Sequence, residues 1–307
     1  MEYISKNLDY RQSAPSVITL GKFDGLHRGH ELLIEKQKEL CSLHNYKSVV
    51  FTFDIPPRKE VSGDGGEVLT TNEEKLHIFE NMGIDYVVEC PFTPEIRNME
   101  AVDFIRMMVD KLHVKYMVVG TDFHFGHNRA GDYKLLMKYA EEFGYEVQVV
   151  EKMKDGDRDI SSTYVREEIK AGNIEKANEL LGVPYFIQGI VEHGNEIGRT
   201  IGFPTINLLP EEEKLLPPFG VYVTKVFIGG EEYCGITNVG RKPTIEGNNP
   251  VGVETHVLDF ADDVYDRTVE VEFLHWIRQE TKFQSIEELK KQLQQDIRIA
   301  KIYFGLE

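Results

Sequence analysis

The sequence predicts two domains of different class: an α/β domain with a parallel sheet, then an all-β barrel ending in a long helix. Three observations predict this. Strand-like apolar runs alternate with amphipathic helical runs through the first half, as in βα units. A break at Gly182-Val183-Pro184 is followed by short alternating strands separated by turn formers. A capping box, Ser285-Ile286-Glu287-Glu288, then opens a helix to about Phe304, with Leu289, Leu293, Ile297 and Ala300 on its inner face. The 307 residues suffice for two ordinary domains, and the border is expected near Pro184, giving 1–183 and 184–307.

Each element follows from its pattern. Ser16–Leu20 is short, β-branched and apolar, a strand. Residues 31–44 form a helix, with Leu32, Leu33, Gln37, Leu40, Cys41 and His44 at helical spacing. Lys47–Phe53 is a strand, and a loop rich in Pro, Gly and Asp runs from it to Leu69. Thr71-Asn72-Glu73-Glu74 is a capping box for a helix to about Met82. Residues 84–89 are a strand. Residues 98–113 are a helix with Ala101, Val102, Ile105, Met108, Val109 and Leu112 on one face. Val114–Gly120 is a strand, Tyr133–Phe143 a helix and 145–151 a strand. A charged loop, 152–159, precedes hydroxyls at a helix start, and Ile174–Leu181 is a short closing helix. The barrel strands are expected at 186–191, 221–228, 233–237, 253–258 and 269–274.

The charge of −17, from 52 acidic against 35 basic residues, argues against nucleic acid or an anionic membrane as principal partner. Cys41, Cys90 and Cys234 are odd in number and far apart, with no CxxC, which fits a reducing cytoplasm. The N-terminus lacks a basic region with an apolar core, so no secretory signal is expected. No apolar run approaches the roughly 18 residues of a membrane span.

The chemistry of the first half centres on Gly21-Lys22-Phe23-Asp24-Gly25-Leu26-His27-Arg28-Gly29-His30. It is a strand-to-helix turn. Its glycines let the backbone approach a ligand, and the free N–H groups and positive dipole end of the next helix suit phosphate. Two histidines three residues apart can place two ring donors on one anion. A plain βα turn with surface histidines is one alternative. A zinc site is another, but zinc takes about four ligands and no accompanying set of Cys, His or carboxylate is seen. Downstream, Ser161-Ser162-Thr163 with Arg166 one turn on reads either as a cap or as a triphosphate site.

The second half centres on Gly194-Asn195-Glu196-Ile197-Gly198-Arg199-Thr200-Ile201-Gly202-Phe203-Pro204-Thr205-Ile206-Asn207. Its glycine spacing suits small-residue helix packing, yet Pro204 and the polar residues argue against a helix. Pro-Thr-x-Asn is expected to fix a turn presenting a hydroxyl and an amide oxygen, hard ligands suited to Mg²⁺ beside phosphates. The chain has no Gly-x-x-x-x-Gly-Lys-[Ser/Thr] run, so any ATP site is built otherwise.

The Phe-Asp-Gly…His-x-Gly-His block resembles the adenylyltransferase module of the bacterial bifunctional riboflavin kinase/FAD synthetases. The Gly194 to Asn207 block resembles their riboflavin kinase signature. Gly235-Ile236-Thr237-Asn238-Val239-Gly240-Arg241-Lys242-Pro243-Thr244 and Val253-Glu254-Thr255-His256-Val257-Leu258-Asp259-Phe260 are similar to two further blocks of the family. The resemblance runs from about Val17 to Phe304. It implies a Rossmann-like nucleotidyltransferase domain and a Greek-key β-barrel kinase domain. It implies ATP-dependent phosphorylation of riboflavin to FMN, then adenylylation of FMN to FAD with release of pyrophosphate. Gly21, Phe23, Asp24, Gly25, His27, His30, Ser162, Thr163 and Arg166 would then surround ATP in the first half. His27, His30 and Arg166 would stabilise its phosphate charge. Phe53, Pro57, Asp122, Phe125 and Arg129 would face the flavin, although the Phe53 loop departs from the family at Ile55, where proline is usual. In the second half Gly198, Arg199, Gly202, Thr205 and Asn207 would bind ATP. Thr205 and Asn207 would also hold Mg²⁺, and Glu254 would be the general base. A cytoplasmic monomer or weak homo-oligomer is expected. The rival readings are a nucleotidyltransferase with another phosphate substrate and a flavin-binding protein without turnover.

Overall fold

The structure is a computed structural model describing residues 1–5, 11–54, 66–193, 197–241 and 251–307, with the side chains of Ile197 and Arg199 also outside the description. Pro57, Ile55 and residues 194–196 and 242–250 therefore lie outside it. Packing divides the chain into two compact units, Met1–Ser162 and Thr163–Glu307. The chain thus joins the packing of the second unit before its pattern turns to strands at Pro184.

In the first unit the elements run β1 (Glu2–Ser5), β2 (Ser16–Leu20), α1 (Arg28–His44), β3 (Lys47–Phe53), α2 (Asn72–Asn81), β4 (Tyr86–Cys90), α3 (Pro94–Arg97), α4 (Ala101–Leu112) and β5 (Val114–Gly120). They continue with β6 (His124–Phe125), β7 (Gly131–Asp132), α5 (Tyr133–Phe143), β8 (Glu146–Val150), β9 (Lys154–Asp155) and β10 (Arg158–Asp159). The main sheet has the order β1-β4-β3-β2-β5-β8 and all its pairs are parallel. From β2 the chain moves outward to β3 and β4, then crosses back to β5 and β8 on the other side. The strand order therefore reverses between β2 and β5, the place where parallel sheets open a crevice at their carboxyl ends. The loops 21–27 and 121–132 leave the sheet there.

Alternate strand residues serve two cores. Val17, Val50, Val87 and Val118 face Leu33, Ile34 and Leu40 of α1 and Phe79 of α2. Ile18, Val49, Phe51, Val88, Met117 and Val119 face Phe104, Ile105, Met108 and Leu112 of α4 and Leu136 of α5. Gln37 sits fully buried on the apolar face of α1, where its amide nitrogen donates to the carbonyls of Val17 and Val49 at 2.8 Å each. It ties the helix to two neighbouring strands. The expected capping box at Thr71 is complete. Its side chain accepts from Glu74 N, and Glu74 accepts from Thr71 N.

The second unit contains α6 (Ser162–Ala171, its first residue in the first unit), α7 (Ile174–Leu181), β11 (Tyr185–Glu192), α8 (Ile197–Ile201) and β12 (Ile206–Leu208). It continues with β13 (Gly220–Ile228), β14 (Glu231–Arg241), β15 (Val251–Val257), β16 (Thr268–Gln279) and α9 (Ile286–Tyr303). Six strands close an antiparallel barrel in the order β11-β12-β15-β14-β13-β16. β13, β14 and β15 are consecutive neighbours and β12 lies beside β15, a Greek-key arrangement. Two expectations are corrected. The segment 197–201 is helical for about one turn, because Pro204 comes late enough to end the helix rather than prevent it. Pro-Thr-x-Asn is not a turn: Ile206 and Asn207 run extended in β12, paired with β15.

Inside the barrel Thr224, Thr237 and Thr255 are fully buried, and their hydroxyls form a chain with spacings of 2.7 and 2.8 Å. Outside it, α9 packs Leu293, Ile297 and Ala300 against Val221, Val223 and Ile236. Asp296 of α9 is fully buried and accepts from Arg278 Nε at 3.0 Å and Nη2 at 2.7 Å, and from Gln292 at 2.9 Å. Its charge is thereby paired and hydrogen-bonded, the condition for burying an ion at tolerable cost. At the start of α9, Ser285 accepts from Glu288 N, but Glu288 reaches Gln284 N instead of closing the box on Ser285.

Candidate active sites

The turn after β2 bends through left-handed backbone. Phe23 has φ 48°, Gly25 φ 86° and Leu26 φ 40°. Such conformations cost energy for residues with a side chain and persist only where the surroundings fix them. Here the Asp24 carboxylate, buried, accepts from the N–H groups of Leu69 at 2.8 Å and Thr70 at 3.2 Å. Gly25 N donates to Thr70 Oγ1, and Ser162 Oγ donates to the Asp24 carbonyl at 2.7 Å. Asp24 and Ser162 thus fasten the turn itself, and Thr70, which no motif marks, belongs with them.

Phe23 is fully buried with its ring edge-on to Phe79, and it tilts against His30 at 5.2 Å between centroids. The sequence placed Phe23 among ATP-binding residues; its ring lies beneath His30. Gly21 passes close over that ring, leaving little room for a Cβ. The structure starts α1 at Arg28, three residues earlier than expected, so His27 is its N-cap and His30 lies in its first turn. The two imidazoles stack at 3.8 Å with 20° between planes. Burial pulls His27 down to about 4 against the upward pull of Asp24 and Asp122. Burial, then the neighbouring His27, holds His30 well below the usual histidine range. Both rings are therefore neutral at pH 7. The buried Nδ1 atoms of both have no hydrogen-bond partner among the described residues.

The loop after β5 folds into a small hairpin, β6 with β7, around a 3₁₀ turn at His127–Arg129. Arg129 has φ 59°, and its guanidinium lies 3.4 Å from His124. Phe125 is buried and stacks on Phe123, with Phe104 behind it. Phe53, at the end of β3, stacks on Phe104 and meets Phe51 and Phe92 edge-on. Asp122 is exposed and paired with Lys152 at 3.1 Å. Lys152 also holds Asp159 at 3.1 Å, so one ammonium bridges the β5 loop and the β9–β10 hairpin that leads to Ser162. The sequence reading passed over Lys152 because a charged loop residue has no periodic context. Thr163 and Arg166 belong to the second unit, Arg166 on the same face of α6 as Ser162, one turn on.

In the barrel the site is organised by register. Asn207 of β12 is directly opposite Glu254 of β15, which is directly opposite Asn238 of β14. One face of three adjacent strands therefore carries an amide, a carboxylate and an amide in a row. As expected from alternation, Val253, Thr255 and Val257 are buried while Glu254 and His256 are half-buried. Asn207 is buried, and its Oδ1 has no hydrogen-bond partner among the described residues. Thr205 precedes β12, and its Oγ1 lies near Gly198 of α8. Asn238 donates to Glu280 at 3.2 Å. Gly198, in α8, lies so close to the Phe203 carbonyl that a Cβ there would collide with it, and Gly202 ends the helix with φ 87°. His256 bonds the Pro204 carbonyl through Nδ1 at 2.7 Å.

The first unit thus carries a histidine pair at a helix start, where phosphate binds readily, and the barrel a carboxylate between two amides. Two families of transferase match these two regions. The family model described as FAD synthetase matches residues 9–164, and that described as Riboflavin kinase matches 181–304. The bifunctional riboflavin kinase/FMN adenylyltransferase of Escherichia coli strain K12 is 38% identical over 303 residues, covering 98% of this chain and 96% of that one. The Bacillus subtilis protein of the same name is 35% identical over 298 residues, covering 96% and 94%. A Streptococcus pneumoniae crystal structure described as a macrolide-efflux protein has 31% identity, a TM-score of 0.87 and coverage of 98% and 99%. Among the described residues here, no helix is long and apolar enough to cross a membrane. The chain belongs to the bifunctional riboflavin kinase/FMN adenylyltransferase family.

Proposed function

We propose that the barrel site phosphorylates riboflavin to FMN with ATP and that the histidine turn then joins AMP from ATP to FMN. In the first step Glu254 takes the proton of the attacking hydroxyl as general base. The observation that carries this assignment is the register that sets Glu254 directly opposite Asn207. Thr205 Oγ1 and Asn207 Oδ1 are hard oxygens two residues apart, and the buried Oδ1 of Asn207, without a hydrogen-bond partner among the described residues, fits a Mg²⁺ ligand. Magnesium held there by Thr205 and Asn207 would supply charge neutralisation for the ATP phosphates. Gly198, Arg199 and Gly202 would line the segment over those phosphates, and positioning would supply most of the catalysis.

In the second step a phosphate oxygen of FMN attacks the α-phosphorus of ATP, and the bond to pyrophosphate breaks. The nucleophile is already anionic, so no protein nucleophile is needed. His27, His30, Ser162, Thr163 and Arg166 would stabilise the growing charge. Gly21, Asp24 and Gly25 would shape the turn, and Phe23 would support His30 from beneath. Phe53, Pro57, Asp122, Phe125 and Arg129 are assigned to the flavin side. The functional domains are taken as 1–183 and 184–307. The acidic balance and three free cysteines support a cytoplasmic enzyme that engages neither nucleic acid nor membrane.

Incubation with riboflavin and Mg·ATP, followed by chromatography, tests the whole reading. FMN is expected first, then FAD. Absence of FMN overturns the barrel assignment, and no conversion of supplied FMN to FAD overturns the assignment of the first site.

A further inference from the structure

The pairing of β12 with β15 stops at Ile206↔Thr255. It stops for a covalent reason: Pro204 has no N–H to give to a ladder. Continued by one step, the register would set Thr205 opposite His256. At that point the side chain takes over from the backbone. His256 Nδ1 lies 2.7 Å from the Pro204 carbonyl oxygen, and its ring meets Phe203 edge-on, 5.7 Å between centroids. A carbonyl only accepts, so Nδ1 carries the proton in this bond. The Pro204 carbonyl and the Thr205 nitrogen lie in one peptide plane, so holding the first orients the second. Phe203 N donates in turn to the Gly198 carbonyl at 2.8 Å, which links the clamp to α8.

We propose that His256 is a positioning residue of the kinase site. Its Nδ1–H fixes the Pro204–Thr205 peptide to the strand bearing Glu254, so that Thr205 and Asn207 face the ATP phosphates at a set distance from the base. This rests on the reading that Thr205 and Asn207 hold Mg·ATP. The clamp needs only the Nδ1 proton, present in the neutral and the charged ring alike.

The test is steady-state kinase kinetics of the full chain. His256→Phe keeps a ring against Phe203 and removes the donor. It is expected to raise KM for Mg·ATP on the order of tenfold, the scale of one hydrogen bond with a carbonyl left unpaired, with KM for riboflavin unchanged. His256→Ala serves if the Phe variant does not fold. His256→Asn restores a donor near the Nδ1 position and is expected to recover most of the loss. Thr205→Ala is measured in parallel and combined with His256→Phe; the double variant should lose little more than either alone. An unchanged KM for Mg·ATP in His256→Phe, with Thr205→Ala impaired, overturns the clamp alone. A pH limb lost from kcat in both the Phe and Asn variants overturns it in favour of proton transfer by His256. Thr205→Ala with unaltered Mg·ATP affinity overturns the phosphate reading and the clamp with it.

Discussion

The two sites achieve the same kind of placement by opposite means. At the histidine turn the functional side chains stand on strained, aperiodic backbone, with Phe23, Gly25 and Leu26 all at positive φ. Their order comes from tertiary fastenings: Asp24 to residues 69 and 70, Ser162 to Asp24, and Phe23 under His30. In the barrel, Asn207, Glu254 and Asn238 line up because three regular strands are in register. The strained turn can be loosened at one fastening without unfolding its sheet. The barrel row is as rigid as the ladder beneath it, and only its end, where Pro204 interrupts the pairing, needs a side-chain clamp.

The largest effect should come from removing chemistry from the rigid row. Glu254→Gln keeps size and one acceptor but not the base, and FMN formation should fall about 10²–10⁴-fold. Riboflavin and ATP should still bind, and supplied FMN should still become FAD. Equal loss of both activities in a folded variant would couple the two sites and break the comparison. His30→Ala should lower FAD formation about 10²–10³-fold while FMN accumulates, read in the same assay.

The neutral histidines give the turn its own pH response. The His27 pKa is about 4 in the folded protein against an ordinary value of 6.5. Between these values the unfolded chain binds more protons, so stability is full above about pH 6.5 and falls as pH drops toward 4. The expected loss is on the order of 3 kcal/mol at the acid end. His27→Gln should flatten that part of the first unit's unfolding profile, followed by urea titration at several pH values. A profile unchanged by the substitution would mean that His27 is not held neutral. The smallest effect is at a fastening. Asp24→Asn keeps the Oδ1 acceptor and loses its charge, worth roughly 1 kcal/mol, so FAD synthesis should drop about fivefold and kinase activity not at all.

Regular, buried elements were legible from sequence. Ser16–Leu20, Lys47–Phe53, Val114–Gly120 and Tyr133–Phe143 fall where the pattern sets them, because strands covered on both faces and an amphipathic helix write their periods plainly. Four short elements, β1, α3, α8 and β12, were not, being too short to show a period without a flanking apolar run. Missing β12 hid the row through Asn207, since a register needs both strands. The candidate residues themselves were found by motif, but their orientation was not legible in aperiodic stretches. The burial of Phe23 beneath His30 and of Phe125 against Phe104, for example, follows from tertiary contacts that no local pattern announces. The buried Asp296 had no signal in the sequence, because its partner Arg278 lies eighteen residues away.

The three buried threonines of the barrel bear on what the outside of that barrel can do. Thr255 adjoins Glu254 and Thr237 adjoins Asn238, and neighbours on a strand point to opposite faces. A slip of one residue between β14 and β15 would turn Thr237 or Thr255 outward and break a buried hydroxyl pair. The same slip would throw Glu254 off its line with Asn207 and Asn238. The hidden row therefore acts as an index pin for the outer row: sequence change at the buried threonines is constrained by the alignment that the proposed kinase site needs on the other side of the same backbone.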